Sequence, residues 1–278
     1  MSSSEQQNRL ANFPVSSFSI VMGLAGFTIA WEKAQKAFDL DLGITPIFAG
    51  IASFIFIVIS LIYLTKLIKH PNSVKMEIKH PIKLNFFPAI SISLLLLSIV
   101  FLSINKAISL PLWIVGTTLH LAFTLYVISS WMHHDHFKIN HMNPAWFIPA
   151  VGNVLVPIAG VALGYIDISW FFFSIGMLFW IILLVIFFNR ILFHDPMATH
   201  LLPTLFILIA PPAVGFLAYT RLNGGIDNFG HFLYFVALFL TMLLLSQIKY
   251  FIRLPLLYFM VGLLISTGRH HNRKLCNE

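Results

Sequence analysis

The chain has 278 residues, of which 58% are hydrophobic and only 10% carry a charged side chain. Soluble domains carry about a quarter charged residues, so this composition, with a mean hydropathy of +0.87, predicts an integral membrane protein and excludes a sizeable soluble domain. The formal charge of +7 is spread over short loops between apolar segments, where lysine and arginine set membrane orientation, so we expect no nucleic-acid partner. The single cysteine, Cys276, excludes a cysteine-rich metal site.

Nine apolar segments are long enough to cross a bilayer, which takes about 20 residues per helix. These predicted spans 1 to 9 lie near residues 16–34, 44–68, 85–104, 110–132, 144–164, 166–188, 200–220, 229–247 and 252–267. Residues 1–13 are polar and lack the layout of a cleaved signal peptide, and residues 268–278 form a polar tail. We therefore expect one transmembrane transporter or channel domain over residues 1–278.

Basic residues concentrate on one side of the predicted membrane. If the N-terminus is cytoplasmic, the basic residues on that side before the tail are Arg9, Lys66, Lys69, Lys75, Lys79, Lys83, Lys138, Arg190, Lys249 and Arg253. The other side holds only Lys33, Lys36, Lys106 and Arg221. The positive-inside rule thus predicts a multi-pass protein of a cell inner membrane or plasma membrane with a cytoplasmic N-terminus.

Helix-breaking residues fall on the odd-numbered spans, and short outer loops pair each odd span with the following even span as a helical hairpin. The breakers are Gly23 and Gly26 in span 1, Pro88 in span 3, Pro149, Gly152 and Pro157 in span 5, Pro211, Pro212 and Gly215 in span 7, and Gly262 in span 9. Irregular backbone at membrane depth must be buried in protein or line a cavity. We therefore expect the odd helices inside and the even helices facing lipid, with the loop over residues 69–84 on the cytoplasmic side.

Three stretches of the odd spans resemble one family: FPVSSFSIVMGLAGFTIAW (13–31), HMNPAWFIPAVGNVLVPIAG (141–160) and LFILIAPPAVGFLAY (205–219). They look like the tellurite-resistance/dicarboxylate transporter family, which includes slow-type anion channels and malate and sulfite carriers. The resemblance implies an all-α fold in which five helical hairpins form a quasi-fivefold ring around a central pore. It also implies small-anion substrates, a homotrimer, and a pore closed by a phenylalanine of the ninth helix.

Broken helices offer free N–H groups and positive helix ends to an anion without a fixed cation that would trap it. Apolar aromatic constrictions gate such pores by dewetting. The candidates for the pore wall and gate are Phe18, Gly23, Pro88, Pro149, Gly152, Asn153, Phe206, Pro211, Pro212, Gly215, Phe216, Phe259, Val261 and Gly262. If Gly262 corresponds to the small residue of the family gate, Val261 takes the gate position and Phe259 is the nearest aromatic. The Asn153 amide is a candidate donor to an anion.

Two alternatives stand beside anion transport. One is a membrane metal enzyme that uses the histidine cluster His133, His134, His136 and His141; its spacing does not match the fixed histidine boxes of such enzymes, and zinc needs three or four converging ligands. The other is a truncated, non-conducting member of the fold, since no tenth span follows span 9.

Our prediction is a protein without cofactor, metal or enzymatic activity that lets small anions cross the lipid bilayer. The substrates in view are an inorganic anion, sulfite, a tellurium oxyanion, or a C4-dicarboxylate such as malate. The sequence leaves both the anion and the choice between a channel and a proton-coupled carrier open. His120, inside span 4, is expected to bond a backbone carbonyl or a hydroxyl as a structural residue.

Overall fold

The computed structural model describes residues 9–40, 42–133, 137–197 and 199–249, and every regular element in these ranges is helical. The α-helices are α1 (Phe18–Ala37), α2 (Thr45–Lys69), α3 (Pro71–Lys79), α4 (Ala89–Phe101), α5 (Lys106–His133), α6 (Phe147–Gly160), α7 (Ile166–Phe193), α8 (Ala210–Asn223) and α9 (Asn228–Ser246). Short 3₁₀ segments lie at Val15–Ser17, Lys83–Phe86, Ile139–His141, Pro144–Trp146 and Thr199–Ile209.

The first eight predicted spans each correspond to a helix of the structure. Seven of these helical stretches are long and apolar enough to cross a membrane, and the eighth, Pro144–Gly160, is shorter. The ninth predicted span, with Phe259, Val261 and Gly262, lies outside the described residues. Within the described ranges the protein is thus an all-helical membrane protein.

The expected loop over residues 69–84 is wrong in part, because α3 occupies most of it. Pro71 begins this helix, where the missing N–H of proline removes no helical hydrogen bond. Val74 and Glu77, three residues apart on one face, are buried. The segment is too polar to cross a bilayer, and its short amphipathic pattern is easily taken for a loop.

Neighbouring helices pack as four hairpins: α1 with α2, α4 with α5, α6 with α7, and α8 with α9. The first members also contact one another in order, α1 with α4, α4 with α6, and α6 with α8. We call α1, α4, α6 and α8 the inner row, and α2, α5, α7 and α9 the outer helices. This arrangement agrees with the expected separation of odd and even helices.

Burial is greatest in α4 and α6, the two middle helices of the inner row. All 14 residues of α6 are buried, and 83% of an 18-residue window of Lys83–Phe101 is buried, against 22–39% for the stretches that contain the outer helices. The stretches that contain α1 and α8, at 33% and 28%, are no more buried than the outer ones. Large apolar side chains such as Phe54, Val185 and Phe235 are exposed on the outer helices, where a lipid environment suits them because tails are as apolar as these side chains. The hydrophobic core therefore surrounds α6, in the middle of the inner row.

The inner helices all begin at the same end of the molecule. We call it the Lys-rich end, because it carries Lys66, Lys69, Lys75, Lys79 and Lys83. There the first turn before α1 is bonded to α3 through Val15 and Glu77, and the start of α6 stacks on the end of α5 through Trp146 and Trp131. The other end is called the opposite end.

Candidate functional site

Each helix of the inner row begins with a 3₁₀ segment at the Lys-rich end. The segments Val15–Ser17, Lys83–Phe86, Pro144–Trp146 and Thr199–Ile209 precede α1, α4, α6 and α8, respectively. Within the described residues, no outer helix is preceded by one. The break is therefore a repeated feature of the inner row.

Prolines mark these breaks. Pro88 is the residue just before α4, Pro211 and Pro212 lie in the first turn of α8, and Pro149 lies in the first turn of α6. Proline is tolerated in a first turn because its missing N–H would have no helical partner there. Pro157, in the interior of α6, does remove a helical hydrogen bond, the one that the Asn153 carbonyl would accept. The predicted breakers thus serve mainly to start the α-helical part of each inner helix.

A buried polar cluster, which we call the Pro149 cluster, holds the break of α6 against its neighbours. It consists of Ser91 on α4, His120 and Thr124 on α5, and Pro149 and Asn153 on α6. The Pro149 carbonyl lies 3.1 Å from His120 Nε2 and accepts from Asn153 Nδ2 at 2.7 Å. Asn153 Nδ2 also donates to Thr124 Oγ1 at 3.1 Å. His120 and Asn153 are fully buried, so three helices are tied together away from solvent.

The hydrogen-bond partners fix the tautomer of a neutral His120. A carbonyl oxygen only accepts, so Nε2 carries the proton that is donated to Pro149. Nδ1, 2.9 Å from Ser91 Oγ, can then only accept, and it shares the single hydrogen of the Ser91 hydroxyl with the Pro88 carbonyl, 2.8 Å from the same oxygen. The expectation that His120 bonds a backbone carbonyl or a hydroxyl is confirmed, since it bonds both.

Asn153 lies in this cluster with both hydrogens of its Nδ2 engaged, while its Oδ1 is buried without a hydrogen-bond partner. The predicted donation from this amide to an anion would therefore compete with Thr124 and the Pro149 carbonyl. The amide holds the cluster together in the described structure.

The glycines of α6 allow close approach of the outer helices. A Cβ added at Gly152 would lie 2.0 Å from His120 Cε1, and one at Gly160 would lie 2.4 Å from Ser169 Oγ and 2.9 Å from Trp113 Cζ2. Any side chain at either position would collide with α5 or α7. Gly152 and Gly160 thus face outer helices, and a pore-lining role for Gly152 stays a prediction. On α8, Gly215 is buried in the same way, 3.3 Å from Met177 Sδ when a Cβ is added.

Two of the predicted constriction residues lie between inner and outer helices. Phe18 is buried, with its ring centroid 6.0 Å from those of Phe56 and Tyr63 on α2. Phe216 is 5.5 Å from Tyr234 on α9. Their roles as constriction residues stay predictions, and the structure gives each of them a packing partner within its own hairpin.

Open faces remain on α1 and α8, the two ends of the inner row. A Cβ added at Gly23 or Gly26 meets no atom within 4 Å, and Phe27 on the same side of α1 is exposed. Phe206, before α8, and Leu217 on α8 are exposed as well. Of the predicted pore residues in the described ranges, Gly23 is the one on an open face, and Phe206 is partly exposed before α8.

A buried ion pair at the Lys-rich end was not foreseen from the sequence. Lys66 Nζ, on α2, donates to Glu77 Oε2 at 2.6 Å and to the Phe13 carbonyl at 2.7 Å. Glu77, on α3, also accepts from the Tyr63 hydroxyl and from the Val15 N–H, both at 3.1 Å. Both charged side chains are buried, so they lock α2, α3 and the start of α1 together. Lys66, counted from the sequence among the basic residues of the cytoplasmic side, is therefore a buried, ion-paired residue of α2.

The loops beside α3 bring two histidines close to each other. His80 Nδ1 accepts from the Ile82 N–H at 3.2 Å, and His141 Nδ1 accepts from the Lys138 N–H at 3.3 Å. Partial burial lowers the pKa of His80, and the positive charges of Lys83 and His141 lower this pKa further. The folded structure therefore favours neutral His80.

The opposite end carries a cation at the C-terminal end of α6. Arg221, on α8, donates to the Ile158 carbonyl and interacts electrostatically with Glu32 on α1. A cation suits this position, since the carbonyls at a helix C-terminus carry partial negative charge. Arg221 therefore links α8 to α6 by a hydrogen bond and lies within electrostatic range of Glu32 on α1.

The histidine alternative finds no support in the described ranges. No group of three or more histidine, cysteine, aspartate or glutamate side chains there is close enough together to hold a metal ion. His133 bonds the Ser129 carbonyl within its own helix, 2.8 Å away, and His134 and His136 lie outside the described residues.

Antiparallel hairpins with an inner row of broken helices define a polytopic membrane protein, and discontinuous membrane helices form the solute sites of many transporter folds. The chain matches the family described as the voltage-dependent anion channel, SLAC1, over residues 12–267. It therefore belongs to the SLAC1 family, and the resemblance drawn from the three odd-span stretches is confirmed.

Relatives from plants and bacteria extend this finding. The chain is 28% identical to the S-type anion channel SLAH2 of Arabidopsis thaliana over 87% of its own length and 48% of that protein. It is 25% identical to the guard cell S-type anion channel SLAC1 of the same plant, over 89% of the chain and 46% of that protein. It is also 28% identical to a tellurite resistance protein TehA homolog of Haemophilus influenzae, over 76% and 65%. The chain thus spans about half the length of these plant relatives.

Proposed function

We propose that this chain carries small anions across a membrane along its inner row of broken helices. The observation that carries the proposal is the 3₁₀ segment at the start of every inner helix in a member of the SLAC1 family. A helix that starts within a membrane presents its first N–H groups and the positive end of its dipole to the membrane interior. Both features attract anions. The names of the plant relatives, S-type anion channels, support the same substrate class.

The proposed pathway is a ring that the predicted ninth span completes. In the described residues the inner row runs from α1 through α4 and α6 to α8, and its two end helices carry open faces. A fifth inner helix between α8 and α1 would cover these faces and enclose a central pore. The Arg221–Glu32 interaction at the opposite end supports the approach of α8 and α1. Assembly of three such rings into a homotrimer remains part of the proposal.

The predicted pore residues divide into three groups within this proposal. Gly23, on the open face of α1, and Phe206, partly exposed before α8, line the pathway. Pro88, Pro149, Gly152, Asn153, Pro211, Pro212 and Gly215 set the breaks and the packing that hold the inner helices in place. Phe18, Phe216, Phe259, Val261 and Gly262 are the candidates for the apolar constriction, with Phe18 and Phe216 acting from the boundary between inner and outer helices.

We also propose that the N-terminus and the Lys-rich end are cytoplasmic, in an inner membrane or a plasma membrane. Lys69, Lys75, Lys79 and Lys83 cluster at that end, and the positive-inside rule places such clusters in the cytoplasm. The anion would then meet the broken starts of the inner helices from the cytoplasmic side.

Anion flux in reconstituted liposomes tests the proposal. Purified protein is reconstituted, and chloride, nitrate, sulfite and malate are compared in turn against protein-free liposomes. We expect flux of at least one of these anions well above the protein-free rate. Protein that is folded by circular dichroism but gives no flux for any anion would refute the proposal and favour the non-conducting alternative.

A further inference from the structure

Arg190 is a buried cation without a counter-charge. It lies near the Lys-rich end of α7, and its side chain is 5% exposed. Its Nε and Nη1 are buried and have no hydrogen-bond partner. It takes part in neither of the ion pairs found among the described residues. A buried guanidinium with unpaired N–H groups is strongly unfavourable unless a partner is supplied.

The packing of α6 against α7 shows what lies beside Arg190. The two helices are antiparallel: Gly160 faces Ser169, Gly176 faces Val154, and the rings of Phe147 and Phe187 lie 6.0 Å apart. Extended by one turn beyond Phe187, this register puts Arg190 at the depth of the 3₁₀ turn Pro144–Trp146, which precedes α6. The Ala145 N–H of that turn already donates to Asn143 Oδ1, so the nearby helix start offers partial positive charge rather than a free donor.

We propose that Arg190 and the start of α6 form a binding site for an oxyanion. The guanidinium supplies charged N–H donors, which match the oxygens of phosphate or sulfate better than an ammonium does. The positive end of α6 adds to the attraction. A free oxyanion and the phosphate of an anionic lipid share this chemistry, and either one would offset the buried charge.

Thermal unfolding in lipid-free detergent tests the site without any measurement of transport. The probes are sodium sulfate and sodium phosphate, each compared with sodium gluconate at equal ionic strength. A second arm compares phosphatidylglycerol with phosphatidylcholine in gluconate. For the wild type we expect the midpoint temperature of thermal unfolding to rise by about 2–4 °C when a ligand is present well above its dissociation constant.

Three variants separate the site from general salt effects. Arg190→Met should lose the rise, Arg190→Lys should keep part of it, and Lys75→Gln, which removes an exposed cation at the same end, should behave as the wild type. In gluconate, Arg190→Met should be at least as stable as the wild type, because it removes an uncompensated buried charge.

The outcomes are distinct. A rise with sulfate or phosphate that Arg190→Met lacks supports a free oxyanion as the ligand, and a rise with phosphatidylglycerol alone supports a lipid phosphate. The proposal is overturned if the wild type shows no rise with any probe, or if Arg190→Met shows the same rise as the wild type. Since only shifts within one variant are compared, a change in its basal stability does not affect the conclusion.

Discussion

Gly152→Ala is the sharpest test of how α6 is held, because a single methyl group would enter the Pro149 cluster. The added Cβ would lie 2.0 Å from His120 Cε1, 2.4 Å from His120 Nε2 and 2.8 Å from Ile92 Cγ1. Carbon atoms pack at roughly 3.5–4.0 Å, so the imidazole must withdraw by about 1.5 Å. His120 Nε2 is already 3.1 Å from the Pro149 carbonyl, and such a movement would break this hydrogen bond.

The expected cost follows from these contacts. Overpacking of a core costs about 1–3 kcal/mol, and a buried donor that loses its acceptor costs about 1–3 kcal/mol more. The higher helix propensity of alanine returns at most about 1 kcal/mol. We therefore expect Gly152→Ala to lower the free energy of unfolding by about 1–5 kcal/mol, measured by SDS titration in mixed micelles with circular dichroism.

The control is Gly23→Ala on α1, where the added Cβ meets no atom within 4 Å. This variant should be as stable as the wild type or slightly more stable. Adding His120→Ala to Gly152→Ala should remove the collision with the imidazole and leave only the contact with Ile92 Cγ1, so the two effects should be non-additive by about 0.5–3 kcal/mol. A Gly152→Ala protein within about 0.5 kcal/mol of the wild type would refute the described approach of α5 to α6.

Three further predictions concern the ion pair, the pH dependence and the pathway. Glu77→Gln should cost about 3–5 kcal/mol in the same titration, because it leaves the buried ammonium of Lys66 without its counter-charge; a cost below about 1 kcal/mol would contradict the buried pair. The pKa of His80 is lower in the folded protein than the ordinary histidine pKa. The stabilisation that results is therefore present above the ordinary histidine pKa and is lost as the pH falls through the pKa of the folded protein. Unfolding free energy should therefore fall between pH 7 and pH 5 by less in His80→Asn than in the wild type, and equal losses would exclude this role. Gly23→Leu should reduce anion flux several-fold while Gly50→Leu, at an equally open position on outer helix α2, should not; equal fluxes would remove Gly23 from the pathway.

Hydropathy and helix-breaking residues were enough to predict the first eight apolar helices and their division into inner and outer groups, because both depend on local composition. Contacts between distant residues were not accessible in this way. Glu77 accepts from Val15, which is 62 positions away, and Ser91 and Pro149 are each 29 positions from His120. The sequence placed Phe18 on the correct helix. Because α1 has apolar residues on most sides, the sequence could not predict which neighbour the Phe18 side chain packs against. The burial of Arg190 was missed because a basic residue near a span end usually reaches solvent.

The carbonyl groups of α6 show how a broken helix can favour anions. Broken or terminal turns free C=O groups as well as N–H groups, and an exposed carbonyl would repel an anion. In α6 the Pro149 carbonyl accepts from His120 and Asn153, the Val156 carbonyl from Trp113 Nε1 at 2.9 Å, and the Ile158 carbonyl from Arg221. Side-chain donors, most of them from α5 and α8, thus engage carbonyls along α6, and Arg221 reaches the C-terminal end of the helix, while its start at the Lys-rich end carries partial positive charge. An anion pathway needs exposed partial positive charge and masked partial negative charge. In α6 this difference arises from packing between helices, which no single segment of the sequence specifies.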